Sequence, residues 1–450
     1  MDNTIQSLAR FVFEADIRRM PPEAVHECKR RLIDSVACAA GAYSEPFCER
    51  IRSFAQRYAG TPPSRIWGSG ASTSMEMAAF ANGTMLRYLD YSDTYLGKTA
   101  GHPSDMIAAL VAVAEGCEAD GASLLAAIVV AYEVYCGFCD AVALAAHGLD
   151  QATCAVVGAA AGAGRLLGLN EEQLGHALSL ALAANLHLYN VRCGTLSDWK
   201  GCAGPNGARN GVFAALLARD GITGPTAVVQ GKGGLFEVLP RFDWQVGAAS
   251  LPLIVSTHLK FHPVCYHGQS AIDAALKLRA SVPLEQIAQI DVETYESAFR
   301  AMGSDSQRWA PSTRETADHS LPYTIAVALQ EGRLESQAYA PQRLGEPRTK
   351  ALMDKIRVTS SKSMTQQFPA KAQTRVTIRC VDGAVHSHLQ EYPKGHASNP
   401  LSDAELEVKF TALYGAWGNA ASASRTLEVL WAVDRLGSTV ALVDALCPLA

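Results

Sequence analysis

NGTMLRYLDYSDTYLGKTAGHPSDMIAALVAVAE, residues 82–115, carries more information than any other stretch of the 450-residue chain. Asp90, Asp93, Thr94, Lys98 and His102 fall between positions 90 and 102, a density of acid, base and cation unlike the outer face of an ordinary helix. Next comes His102-Pro103-Ser104-Asp105, where proline suits a first helical turn and Ser or Asp can satisfy free N–H groups. The apolar run 106–114 then continues as a buried helix. Polar loops that feed buried helix N-termini are natural places for anions. Read for chemistry, the cluster points to acid–base work on a carboxylate; read for structure, the same residues would serve as caps and loop packing.

Hydrophobic residues make up 48% of the chain and charged ones 18%, the balance of a compact globular protein with a sizeable core. A net charge of −5, with no basic stripe interleaved with aromatics, gives no reason to expect nucleic acid. Met1-Asp2-Asn3-Thr4 lacks a basic start and an apolar run, so no secretion signal is expected. The most apolar stretch, Leu124 to Tyr132, stops at Glu133 and is too short to span a bilayer. The 12 cysteines form no disulfide-like framework, as in reduced thiols of a cytoplasmic enzyme. The expectation is therefore a cytoplasmic protein without membrane or nucleic-acid partners.

Residues 1–263 read as helix after helix. Pro21-Pro22-Glu23 opens one, with Val25, Cys28, Leu32 and Val36 at helical spacing. Further helices are expected near 74–86, 104–118, 122–145, 152–167, 171–187 and 205–220, and their wealth of Ala and Gly implies close packing. The character changes after 263. IDVETYESA, KIRVTSS, QTRVTIRCVDG and AVHSHLQEYPKG are rich in β-branched residues, with an Asp382-Gly383 hairpin turn and a loop and helix over 319–332. Ser402-Asp403-Ala404-Glu405 is a capping box, after which helical patterning resumes. The predicted class is mainly α with an α+β lid: a helical domain (1–263), a lid with a small antiparallel sheet (264–400), and C-terminal helices (401–450) returning to the helical body.

Three more clusters carry candidate chemistry. In 190–225, Arg192, Lys200 and Arg209 supply cations, and glycines flank Lys200 in a loop ahead of a helix starting near Pro205. HLKFHPVCYHGQSAIDAAL, 258–276, holds Lys260, Cys265 and three histidines; His258, His262 and His267 lack the spacing of a helical zinc pair, so no metal ligand set is expected. Asp318-His319-Ser320-Leu321-Pro322-Tyr323 offers a tyrosine that is either a proton donor or a satisfied interior phenol. Cys136/Cys139 reads as helix core rather than a redox pair, and Gly162-Ala163-Gly164 as helix packing rather than a dinucleotide fingerprint.

With these motifs in order (LDYSDT, GHPSD, SDWKGCAGPNGARNG, LKFHPVCYHGQSAIDA, SLPY and EYPKG), the chain resembles the MmgE/PrpD family over essentially its whole length. That family includes 2-methylcitrate dehydratase, cis-aconitate decarboxylase and iminodisuccinate epimerase. The resemblance implies a helical domain with an α+β lid, a homodimer, and metal-free, cofactor-free catalysis in the cleft between the domains. It implies site residues at Asp90, Thr94, His102, Lys200, Lys260, His267 and Tyr323. The sequence departs from family patterns at Gln151 and Arg87, where His is common, and at Cys265, near which decarboxylase-like members have His.

Chemistry of the residue types agrees. Removing a proton beside a carboxylate builds enolate-like charge, so a base must be accompanied by cations. His102 can exchange a proton near neutrality. Lys200 and Lys260, with Arg192 and Lys98, can hold carboxylates; Tyr323 or a buried lysine can protonate a leaving hydroxyl; Asp90 can orient a neighbouring base or cation. The expected catalytic residues are His102, Lys200, Asp90, Tyr323 and Lys260; Thr94, His267, Arg192 and Lys98 are expected to bind a di- or tricarboxylate substrate. The reading is a cofactor-independent hydro-lyase of the 2-methylcitrate dehydratase type. Alternatives are a decarboxylase or epimerase on the same fold and a non-catalytic carboxylate-binding protein. An iron–sulfur hydratase would need three placed cysteines, and only Cys136 and Cys139 form a close pair.

Overall fold

A computed structural model describes every residue except Thr195 and Ala450. Helices Pro22–Gly41, Met75–Tyr88, Ile107–Gly116, Gly121–Ala141, Ala152–Leu166, Glu171–Ala184 and Trp199–Arg219 surround one large apolar core. Their starts are set by local chemistry. Ser74 caps Met75–Tyr88 through the Met77 N–H, Asp120 caps Gly121–Ala141, and Asn170 with Gln173 forms a capping box. The small residues act as expected of them. A Cβ added to Gly211 would lie 2.3 Å from the Val156 carbonyl oxygen, so only glycine lets those two backbones meet.

Two expectations need correction here. Glu133 does not end its helix, which runs on to Ala141 and is long and apolar enough to cross a membrane; 89% of its apolar window is instead buried inside the protein. Glu133 is accommodated because its carboxylate accepts the Gly247 and Leu253 N–H groups, both at 2.8 Å. Secondly, the helix expected from Pro205 begins at Trp199 and carries Pro205 inside it.

A second apolar core belongs to an α+β unit. Its four strands lie in the order Ile356–Ser360, Ile287–Thr294, Thr374–Cys380, Val385–Gln390. The sheet is mixed rather than purely antiparallel, because Ile287–Thr294 pairs parallel with Ile356–Ser360. Parallel neighbours need a long crossover, and here it contains the helix Leu321–Glu331. Thr374–Cys380 alternates, burying Thr374, Val376, Ile378 and Cys380. It turns into Val385–Gln390 through Asp382-Gly383, with Gly383 at φ +89°. That left-handed conformation suits glycine.

The chain then returns. Ser402 and Glu405 form the capping box of Asp403–Leu413. Leu406, Phe410, Leu430, Val433 and Leu442 join the larger core beside Leu32 and Val36. The seam between body and lid is tied by backbone bonds between Thr94 and His258 (2.8 Å each way) and from Leu259 N–H to the Gly395 carbonyl (3.0 Å).

Candidate active site

The loop after Met75–Tyr88 makes a left-handed turn at Asp90 (φ +50°), a conformation that Asp tolerates better than most residues. Four cationic groups converge on this one buried side chain. Arg87 Nη1 donates to Oδ1 at 2.7 Å, and Lys260 Nζ donates to Oδ1 at 2.5 Å and to the Asp90 carbonyl at 2.8 Å. Lys200 Nζ lies 3.4 Å and His319 Nε2 3.7 Å from Oδ2. Burial alone would raise the Asp90 pKa, but Arg87, Lys260 and Lys200 hold it well below the usual carboxylate range.

Lys200 stands in the first turn of Trp199–Arg219, not in a loop. Its Nζ also reaches Asp318 Oδ1 at 3.3 Å and His319 Nδ1 at 3.2 Å. The neighbouring glycine that permits close approach is Gly204, whose Cβ would collide with Asp105 Oδ2; the close partner is a carboxylate of the body rather than a ligand. Asp318 and His319 precede the N-cap Ser320 of Leu321–Glu331 and bond to each other.

The two histidines of the site are opposites. His102 Nδ1 lies 2.7 Å from the Asp93 carbonyl oxygen. A carbonyl only accepts, so Nδ1 carries the proton and Nε2 keeps its lone pair. Burial, then Arg87 and Lys260, push the His102 pKa well below its usual value. For His319, burial and Lys200 oppose protonation, yet Cys265 and Asp318 outweigh them and the pKa is raised. Reciprocally, burial raises the Cys265 thiol but hydrogen bonding and attraction to His319 bring it below its ordinary range.

These groups line a cavity of about 650 Å³. The body contributes Asp90, His102, Gln151 and Lys200; the segment after 260 contributes Cys265, His267, Arg308 and His319. Thr94 also lines it, with Oγ1 3.3 Å from His102 Nδ1. Arg192 is present but engaged by Asp150 at 2.9 Å. Lys98 is exposed at the cavity wall and donates to the Ala141 carbonyl. His267 lines the cavity with Nδ1 on the Tyr295 hydroxyl at 2.7 Å, and burial lowers its pKa to about 4.

Tyr323 is not brought to this place. It is 2% exposed, packs in the lid core, and its hydroxyl donates to the Ala338 carbonyl. The alternation of the helix Leu321–Glu331 turns it inward, so it is the satisfied phenol rather than the proton donor. Sequence reasoning passed over its neighbours Asp318 and His319, and over Arg308. The available signal was an Asp-His pair directly ahead of a capped helix start, the same arrangement that drew attention to His102. Gln151 sits where a titratable side chain was expected: it accepts from the Tyr135 hydroxyl and donates to Asp105 Oδ2 at 3.2 Å. Burial raises the Asp105 pKa to about 6.

Asp90, Asp318 and His319 place three possible metal ligand atoms within 4.8 Å of one another. Lys200 Nζ lies within 3.4 Å of all three residues, so an ammonium supplies the positive charge that such a donor set attracts. The sequence gave no hint of this grouping, because residue 90 is remote from 318. Cys136 and Cys139 lie in the buried helix Gly121–Ala141, and Cys139 contacts Cys154.

Comparison with known proteins agrees with this architecture. Residues 6–245 match the MmgE/PrpD N-terminal domain and residues 262–435 the MmgE/PrpD C-terminal domain. The chain belongs to the MmgE/PrpD family. It is 29% identical over 397 residues to a 2-methylcitrate dehydratase of Cupriavidus necator, covering 81% of this chain and 80% of the relative. It is 26% identical over 428 residues to a 2-methylcitrate dehydratase of Salmonella typhimurium, covering 88% and 86%. An alkylcitrate dehydratase from a fungal species is 28% identical over 418 residues, covering 84% and 81%. The protein is thus an enzyme of the family's hydro-lyase type.

Proposed function

We propose that this enzyme eliminates water from a hydroxylated tri- or dicarboxylate of the 2-methylcitrate type without a metal or organic cofactor. The observation that carries the reading is the divergence of the two cavity histidines. When neighbouring titratable groups have their pKa values pushed apart, the lowered one suits the base and the raised one the acid. His102 is neutral at pH 7 with Nε2 free to take the proton beside a carboxylate. His319 is protonated and can give a proton to the departing hydroxyl. In this scheme the C–H electrons form the new double bond, the C–O bond breaks, and water leaves. Lys200 and Lys260, fixed by Asp90 and Asp318, supply the positive potential that an enolate-like transition state requires.

The names of the relatives support a citrate-like substrate. The neutral Gln151 at a position where the dehydratase branch tends to have His leaves His102 as the base in this proposal. The direct test is incubation of the purified protein in D₂O with 2-methylcitrate, citrate, cis-aconitate and iminodisuccinate, followed by NMR. Appearance of an alkene from a hydroxylated substrate supports the proposal. Loss of CO₂ from cis-aconitate, or α-deuteration of iminodisuccinate with no alkene from any hydroxy acid, would replace elimination with decarboxylation or epimerisation.

A further inference from the structure

Positive charge around the cavity is, with one exception, already spoken for. Arg87 faces Asp90 and Asp105, Arg192 is held by Asp150, and Lys200 and Lys260 share Asp90 and Asp318. Arg308 differs. It sits on the short helix Ser306–Trp309, is 6% exposed, and lines the cavity from the lid side. Its Nε and Nη1 are buried with no hydrogen-bond partner among the described residues. The near carboxylate, Asp305, is 3.6 Å from Nε and half exposed.

Leaving guanidinium N–H groups buried and unpaired is costly, since they lose water and gain nothing. Such a group persists where a ligand completes it, and the planar fork of arginine matches a carboxylate with two parallel hydrogen bonds. The backbone is placed for the task. The Arg308 carbonyl accepts the Ser320 hydroxyl, which fixes this helix beside His319. From the carboxylate-substrate reading above and this geometry, we propose that Arg308 is a substrate-binding residue. It receives a carboxylate remote from the carbon that loses its proton, so the site selects substrates with at least two well-separated carboxylates.

The test uses the full-length protein and tricarballylate (propane-1,2,3-tricarboxylate), which has no hydroxyl to eliminate. Calorimetry gives its Kd for the wild type, Arg308→Gln and Arg308→Lys, with Tm of each unliganded protein measured alongside. Charge-assisted hydrogen bonds contribute enough that Arg308→Gln should weaken binding by about tenfold to a hundredfold. Arg308→Lys should fall between, since it keeps charge without the fork. Because no internal partner is lost, Tm of unliganded Arg308→Gln should match or exceed that of the wild type. Unchanged affinity in Arg308→Gln, a drop in its unliganded Tm, or no tricarballylate binding by the wild type would each overturn the proposal. The elimination assay separates this from the functional reading. Arg308-dependent binding without elimination leaves the anchor standing and removes the dehydratase; normal elimination with Arg308-independent binding does the reverse.

Discussion

Lys260 Nζ donates at once to the carboxylate and to the backbone carbonyl of Asp90, at 2.5 and 2.8 Å, across 170 positions of sequence. One ammonium thereby fixes both the side chain and the left-handed backbone of the residue around which the site's cations gather. Burial pulls the Lys260 pKa down and Asp90 pulls it back up, with burial prevailing. Asp90 is therefore the structural hub of the cation cluster. Asp90→Asn would leave Arg87, Lys200 and Lys260 facing an amide. Removing one partner of a buried ion pair typically costs about 3–5 kcal/mol. Chemical denaturation should show a loss of that order, and a loss no larger than that of an exposed pair would contradict the hub role.

Activity should depend on the two histidines in opposite directions of pH. His102 must be neutral and its pKa is lowered; His319 must be protonated and its pKa is raised. The kcat/KM plateau should then extend on both sides of 6.5, with the acid limb well below it. His102→Ala should lose about a hundredfold or more in kcat with the fold intact, and His319→Gln should remove the alkaline limb. Lys200→Ala should be severely impaired through affinity, turnover or both. Normal turnover in the His102 and Lys200 variants would refute the site.

Tyr323→Phe should leave turnover close to wild type, because the hydroxyl is spent on Ala338 inside the lid. Its effect should be on stability, about 1–2 kcal/mol for an orphaned buried carbonyl. A large fall in kcat with unchanged Tm would return Tyr323 to the chemistry.

Acid should loosen the seam between body and lid. His258 and His396 stack at 4.2 Å, and each Nδ1 accepts a backbone N–H, from Ala397 and Ser398 respectively, at 2.9 Å. Burial lowers both pKa values, that of His396 to about 4. A depressed folded pKa gives stability that is whole above the unfolded value near 6.5 and is lost as pH falls through the folded value. Tm should be level above pH 6.5 and decline from there towards pH 4, and His396→Asn should lessen the decline. A Tm that stays level to pH 4 would show that these histidines are not held neutral.

Cys265 should react with iodoacetamide near neutral pH faster than the exposed Cys117, whose thiol burial pushes up. A carboxylate that fills the cavity should protect it. Peptide mapping with and without tricarballylate measures both, and labelling at Cys117 ahead of Cys265 would count against the Cys265–His319 pairing.

Much of the fold is legible along the chain because its signals are local. The Ala- and Gly-rich helices, the capping boxes at Asn170 and Ser402 and the Asp382-Gly383 hairpin depend on residues a few positions apart, and periodicity reports them directly. Family membership is legible for a similar reason, since LDYSDT, GHPSD and SLPY are contiguous words. The sheet's parallel pair was not visible, because strand direction depends on how the crossover between 294 and 356 packs. Nor could residue order tell Tyr323 from His319, four positions apart: which of them meets the cavity depends on the rotation of one helix against the lid core. Sequence by itself determined the class of fold, the family and the residue types available for proton transfer beside a carboxylate. Tertiary structure alone decided that Asp90 gathers Arg87, Lys200, Lys260 and His319, that His102 is neutral and His319 protonated, and that Arg308 lacks an internal hydrogen-bond partner at Nε and Nη1. Those properties depend on burial and on distances of a few ångströms between residues more than a hundred positions apart, and neither quantity exists until the chain is folded.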